Sequence, residues 1–198
     1  MRSRPPGASR GSASRSNPSP LRGTDLSPAY GRALKRLAQR DHSEQEMASA
    51  LSRRGFEKDE IADVLARLRR EGLLNDSRLA ERIARTRIEG RGLGRRRVRR
   101  ELSQRGVSAE TAEAGLARAL DEISEGGVLD AAARGYWALH GAVPPEARVR
   151  RLYAFLLRRG FPPSLVHERL HALWPRLGEA FLGLEPAPED EEGSSEEP

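Results

Sequence analysis

The 198-residue chain contains no cysteine, which excludes disulfides, thiolate nucleophiles and cysteine-ligated zinc. No apolar run approaches the roughly 18 residues of a membrane-spanning helix, and the N-terminus lacks the apolar stretch of a secretory signal. Aromatic residues make up 5% of the chain, and β-branched residues nowhere alternate with polar ones, so strand signals are missing. Lysine is scarce too: Lys35 and Lys58 stand beside a large excess of arginine. The expectation is an all-α, cytoplasmic protein with no membrane contact, and the formal net charge of +6 points to an acidic partner.

Charge is unevenly spread. Residues 1–22 hold five Arg, six Ser and four Pro and no acid. Such a segment buries too little apolar surface to offset the entropy of ordering it, which predicts a disordered basic tail over residues 1–26. Residues 185–198 hold seven acids and no base, which predicts an acidic disordered tail over 179–198. Between the two charged ends, 30 basic residues face 22 acidic ones. Arginine suits bidentate contacts to phosphate or carboxylate.

Three segments repeat one pattern: Met47–Phe56, Val98–Val107 and Leu152–Phe161. Each ends on a glycine and an apolar residue, with glycines at 55, 106 and 160. Met47/Val98/Leu152, Leu51/Leu102/Leu156 and Phe56/Val107/Phe161 stay in phase, as do Ile61/Ala112/Val166 and Leu65/Leu116/Leu170. A period of this length means one supersecondary unit used three times. Three helical repeats follow, over 27–72, 73–125 and 126–178. Arrays of this kind present an extended surface to a partner more readily than they build a catalytic pocket.

Local signals place nine or ten helices. Ser27–Pro28 starts the first helix, and Ser43 with Glu46 forms a capping box for the second. Gly55 and Gly72 are helix stops. Asp76 is placed to cap a fourth helix carrying Leu79, Ile83 and Ala84. Gly90, Gly92 and Gly94 read as a flexible joint between the first and second units, since they follow a helix and lack the Lys-Ser/Thr of a nucleotide loop. Gly126–Gly127 separates off a helix with Val128, Ala132 and Trp137. Pro144–Pro145 and Pro162–Pro163 open the last two helices.

The densest charge runs from Arg82 to Arg105, with ten Arg against Glu89 and Glu101. Val98 and Leu102 mark the core side of the helix beginning near Gly94, so Arg96, Arg100 and Ser103 point away, with Arg97 and Arg99 on the flanks. Arg95 lies by the helix N-terminus, where free amides attract anions. Arg91, Arg95, Arg96, Arg97, Arg99 and Arg100 are the candidate phosphate-binding residues. No aromatic residue is interleaved among them, so base stacking is not indicated. His167 and His171 have a two-ligand spacing but no further Cys or His clusters with them. No nucleophile or acid–base setting is recognisable, and neither a cofactor nor a metal is expected. Trp137, Tyr153, Phe155 and Trp174 read as core aromatics.

Ala33–Leu34 to Asp41-His42-Ser43, Leu51-x-x-Arg54-Gly55-Phe56 and Leu74-Asn75-Asp76-x-x-Leu79-Ala80 together resemble the RecX family of RecA regulators. So do Gly92-x-Gly94-Arg95-x-x-Val98-x-x-Glu101-Leu102-x-x-Arg105-Gly106-Val107 and Leu152-Tyr153-x-Phe155-Leu156-x-Arg158-Arg159-Gly160-Phe161. The similarity covers roughly residues 30–174. It implies three tandem three-helix units in an elongated, curved molecule. It also implies a monomeric, non-enzymatic modulator, usually an inhibitor, that binds the RecA recombinase filament. Leu79 and Gly94 depart from the residues usual there, and Gly115 is expected to weaken one helix of the second repeat. The other reading of the residues is a basic helical protein that binds single- or double-stranded DNA directly.

Overall fold

The computed structural model describes residues 27–175, and the two charged tails expected from composition lie outside the described residues. Every regular element among the described residues is a helix. They are α1 (Pro28–Leu37), α2 (Glu44–Ser52), α3 (Lys58–Arg70), α4 (Asp76–Arg91), α5 (Arg95–Gln104), α6 (Ala109–Glu122), α7 (Glu125–Leu139), α8 (Pro145–Arg158) and α9 (Pro163–Leu173).

The apolar phase of the repeat becomes three cores. Met47, Leu51 and Leu68 are fully buried under α1–α3, Val98 and Leu102 under α4–α6, and Leu152, Leu156 and Phe161 under α7–α9. Each fully buried side chain of this size contributes on the order of 2 kcal/mol of transfer free energy, so every unit depends on these columns. Val128 packs against both the second and the third core, which makes α7 the shared wall between them. Leu129 and Ala133 are the fully buried face of α7, while Val128, Ala132 and Trp137 are only partly covered.

Capping follows local chemistry with one reassignment. The Ser43/Glu46 capping box forms, and Ser27, Ser108 and Ser124 each accept an amide hydrogen bond in the first turn of their helices. Asn75, not Asp76, caps α4, its side chain accepting from the Arg78 amide at 2.9 Å. Asp76 instead reaches back to the first unit and accepts from the Glu44 amide at 3.0 Å. Gly126 and Gly127 lie inside the first turn of α7, rather than before it. Gly115 is no weak point in α6. A Cβ there would come within 2.6 Å of the Ala80 Cβ, so the bare backbone is what lets α6 cross α4 closely.

Neighbouring units meet through the same part of the repeat. The turn around Gly106 packs against the start of α2, where a Cβ on Gly106 would come within 2.5 Å of the Gln45 Cβ. The turn around Gly160 packs against the start of α5, where a Cβ on Gly160 would overlap the Arg97 backbone and one on Gly94 would overlap Gly160. Gly55, the equivalent residue of the first unit, has nothing within 4 Å of its Cβ position. All three repeat glycines take the left-handed conformation, with φ of 84°, 75° and 88°. The Gly92–Gly94 segment is thus no hinge between the first two units. It lies inside the second unit, between α4 and α5, and receives the third.

Candidate anion-binding cleft

The charge-dense segment divides on folding. Helix α5 buries Val98 and Leu102, so its arginines must share the remaining surface. Arg95, Arg96, Arg99 and Arg100, with Ser103 and Gln104, form one wall of an open cleft of about 790 Å³. The first two turns of α9 and its cap supply the facing wall through Pro162, Ser164, Leu165 and Glu168. Two of the six candidates are elsewhere. Arg97 points to the joint with the third unit and donates to the Arg158 carbonyl at 3.1 Å. Arg91 lies at the end of α4, where its carbonyl accepts from the Arg159 guanidinium at 2.6 Å.

The backbone amides at the start of α5 are not available to an external anion, which corrects the expectation for Arg95. Glu125 accepts from the Arg95 amide at 2.8 Å and from its Nε at 2.6 Å. The Gly94 amide donates to the Arg159 carbonyl at 2.9 Å, and the Arg96 amide to the Gly160 carbonyl at 3.0 Å. A buried carboxylate and a neighbouring turn therefore saturate the helix N-terminus from within. Glu113 pairs with Arg99. Among the described residues, the side chains of Arg96 and Arg100 have neither a hydrogen bond nor an ion pair, and Arg100 is exposed. These two arginines carry the cleft's uncompensated charge.

The joint beside the cleft is itself ionic. Glu46 accepts from Arg40 at 3.0 Å, from Arg105 at 2.8 Å and from the Ser43 amide at 3.1 Å. Burial alone would raise the Glu46 carboxyl, but these hydrogen bonds outweigh it and hold the carboxyl at about 2. The Ser43 hydroxyl donates to the Arg105 carbonyl, and Arg82 pairs with Asp41 across the same boundary. Burial lowers the His42 imidazole below its ordinary value, with the Arg40 and Arg36 charges acting in the same direction against a hydrogen bond to the Arg40 carbonyl.

Sequence reasoning located the α5 arginines but missed the facing wall and a second basic cluster. Arg32 and Lys35 lie on the side of α1 away from Ala29, Tyr30 and Ala33, Arg36 lies on its flank, and with Arg54 they line a depression of their own. Their three- and four-residue spacing was the available signal. His167 and His171 sit on α9, and among the described residues there is no group of three or more metal-ligating side chains. The Trp137 and Trp174 rings meet in a tilted pair, centroids 4.8 Å apart, against the third core.

Two family models match this chain. One, described as the first three-helix domain of RecX, matches residues 29–68. The other, described as the second three-helix domain of RecX, matches residues 75–116. The chain is 32% identical over 151 residues to the regulatory protein RecX of Chlorobium phaeobacteroides, covering 76% of this chain and 97% of that protein. It is 38% identical over 139 residues to the regulatory protein RecX of Halorhodospira halophila, covering 68% and 81%. The crystal structure of RecX from Lactobacillus salivarius shares the fold, with a TM-score of 0.67 at 21% identity over 75% of this chain and 96% of that one.

Proposed function

This chain belongs to the RecX family of regulatory proteins, and from that premise we propose that it binds the RecA–DNA filament and lowers recombinase activity. It acts as a monomeric, non-catalytic regulator in the cytoplasm and needs no cofactor. The observation that carries this reading is the α5/α9 cleft, whose uncompensated Arg96 and Arg100 face outward from a buried Val98/Leu102 stripe. A RecA–DNA filament offers a repeating, acidic surface that a basic helical array can follow.

The test is inhibition of RecA's DNA-dependent ATP hydrolysis by the parent protein and by Arg96→Glu/Arg100→Glu, at several salt concentrations. Neither side chain contributes to a core, so circular dichroism and melting stay as in the parent. Inhibition falls at least about tenfold and depends less steeply on salt. Equal inhibition by a folded double variant would place the partner on another surface.

A further inference from the structure

Helix α9 walls the arginine cleft and also leads the chain toward its most acidic stretch. Ser164, Leu165 and Glu168 face α5, and the described chain runs on from there to Pro175. From Glu168 to Pro175 is seven residues, roughly 10 Å at a helical rise. Residues 176–184 add nine more, which span up to about 30 Å when extended. Seven acids and no base then follow over residues 185–197, four of the acids consecutive at 189–192. The connecting chain is long enough to return these acids to the cleft that α9 has just left.

We infer that residues 185–197 lie in the α5/α9 cleft of their own chain, on Arg96 and Arg100, and must leave before an external acidic partner can enter. Charge is the first argument. Four arginines and one carboxylate, Glu168, line the cleft. Glu125 holds Arg95 and Glu113 pairs with Arg99, whereas among the described residues the Arg96 and Arg100 side chains have no hydrogen bond or ion pair. Guanidinium groups of this kind suit bidentate pairing with carboxylates. Ser103, Gln104 and Ser164 add hydroxyl and amide groups for the backbone of a peptide laid between the walls.

The tether is the second argument. A single exposed ion pair is worth little, but a connection this short holds the acids at an effective concentration on the order of millimolar. The rival site for the acids is the other strongly charged segment, residues 1–22 with five arginines. That segment joins the fold at α1, whereas the acids join it at α9, a wall of the cleft itself. The tether therefore favours the cleft over the N-terminal arginines. The contact forms without RecA; its consequence for activity rests on the regulatory reading. An acidic segment that fills the cleft in about two thirds of molecules lowers a partner's apparent affinity about threefold.

The chain has no cysteine, so Ser194→Cys places a single spin label beside the run of acids in the full chain. At low salt the label broadens the amide resonances of residues 95–104 and 162–168. Broadening disappears in Arg96→Glu/Arg100→Glu and at about 1 M salt, where the screening length is about 3 Å. Adding Glu189→Lys/Asp190→Lys/Glu191→Lys/Glu192→Lys to the arginine variant restores it, because the charges are then exchanged rather than lost. In the RecA ATPase assay, Glu189→Gln/Asp190→Asn/Glu191→Gln/Glu192→Gln inhibits at a concentration at least about threefold lower than the parent.

Resonances of the cleft that stay sharp overturn the inference, as does broadening confined to residues 1–22 or unchanged by the arginine variant. Broadening passed to an isotope-labelled chain without the spin label, in a mixed sample, also overturns it, because the acids then sit in a neighbour's cleft. So does equal RecA inhibition by the parent and the neutralised chain, since the segment then guards nothing. If the label reports the contact and neither chain inhibits RecA, the proposed function fails and the occupied cleft stands.

Discussion

The two joints between units occupy the same place in the repeat and are built from different chemistry. Between the first and second units, side-chain charges meet: Glu46 with Arg105, Arg82 with Asp41, and Asp76 with the Glu44 amide. Between the second and third, one ion pair, Arg95 with Glu125, accompanies contacts made mainly by backbone. Gly94 and Arg96 donate to the Arg159 and Gly160 carbonyls, and the Arg159 guanidinium donates to the carbonyls of Arg91 and Gly92 at 2.6 and 2.9 Å. A repeat therefore fixes where units touch without fixing how they hold. The first joint depends mainly on charge, and the second mainly on how closely backbone can approach backbone.

The sharpest way to break this contrast is Gly160→Ala. Its Cβ would overlap the Arg97 backbone, and its φ of 88° strains any L side chain. Backbone on both sides leaves nothing flexible to move aside, so the expected cost is more than about 3 kcal/mol. Hydrogen exchange should show α8 and α9 opening while α1–α3 stay protected. A variant that melts within about 1 kcal/mol of the parent would mean that the second joint yields.

Acid affects the first joint through Glu46. Glu46 has a folded value of about 2, below its ordinary 4.5, so its stabilisation is complete above about pH 4.5 and lost as pH falls toward 2. His42, also lowered, adds a loss of the same sign on acidification from its ordinary value of 6.5. The amides and carbonyls that link the second joint do not titrate. Between pH 7 and pH 3, exchange should therefore rise at residues 43–46 and 103–108 before it rises at 158–162. Glu46→Gln should mimic this at pH 7, at a cost of about 1–2 kcal/mol, because glutamine keeps the capping box but loses the charge. Simultaneous opening of both joints would erase the distinction between them.

Gly55→Ala gives the smallest effect. It shares the left-handed φ of Gly106 and Gly160, but its Cβ would meet nothing within 4 Å. Backbone strain alone remains, about 1 kcal/mol. The difference in melting between this variant and Gly160→Ala measures what docking against a neighbour adds to a helix stop.

The helices and their cores were legible because the signals for them are local. Serine and asparagine before apolar stripes, glycine after them, and the columns ending at Gly55, Gly106 and Gly160 fix starts, stops and inward faces. What sequence could not give are partners set by three-dimensional proximity. Asn75 and Asp76 are both capable caps, and only the position of α2 decides that Asp76 turns to Glu44. The amides of α5 look open until Glu125, thirty residues downstream, closes over Arg95. Six arginines in a run looked like one site; folding sends Arg97 and Arg91 to the third unit's joint and leaves four in the cleft.

The saturation of the α5 N-terminus by the Gly160 turn also sets an order in time. During synthesis, Arg95–Gln104 leaves the ribosome roughly 60 residues before the turn that caps it, an interval of several seconds at about 5–20 residues per second. Through that interval the Gly94 and Arg96 amides have no carbonyl from the third unit, and the cleft has only one of its walls. The nascent first two units therefore carry an open helix end beside exposed arginines. Glu125 reaches the Arg95 amide once α7 has emerged, and the Gly160 turn with α9 then closes the rest of that end and completes the cleft, so the finished surface belongs only to a chain translated through α9.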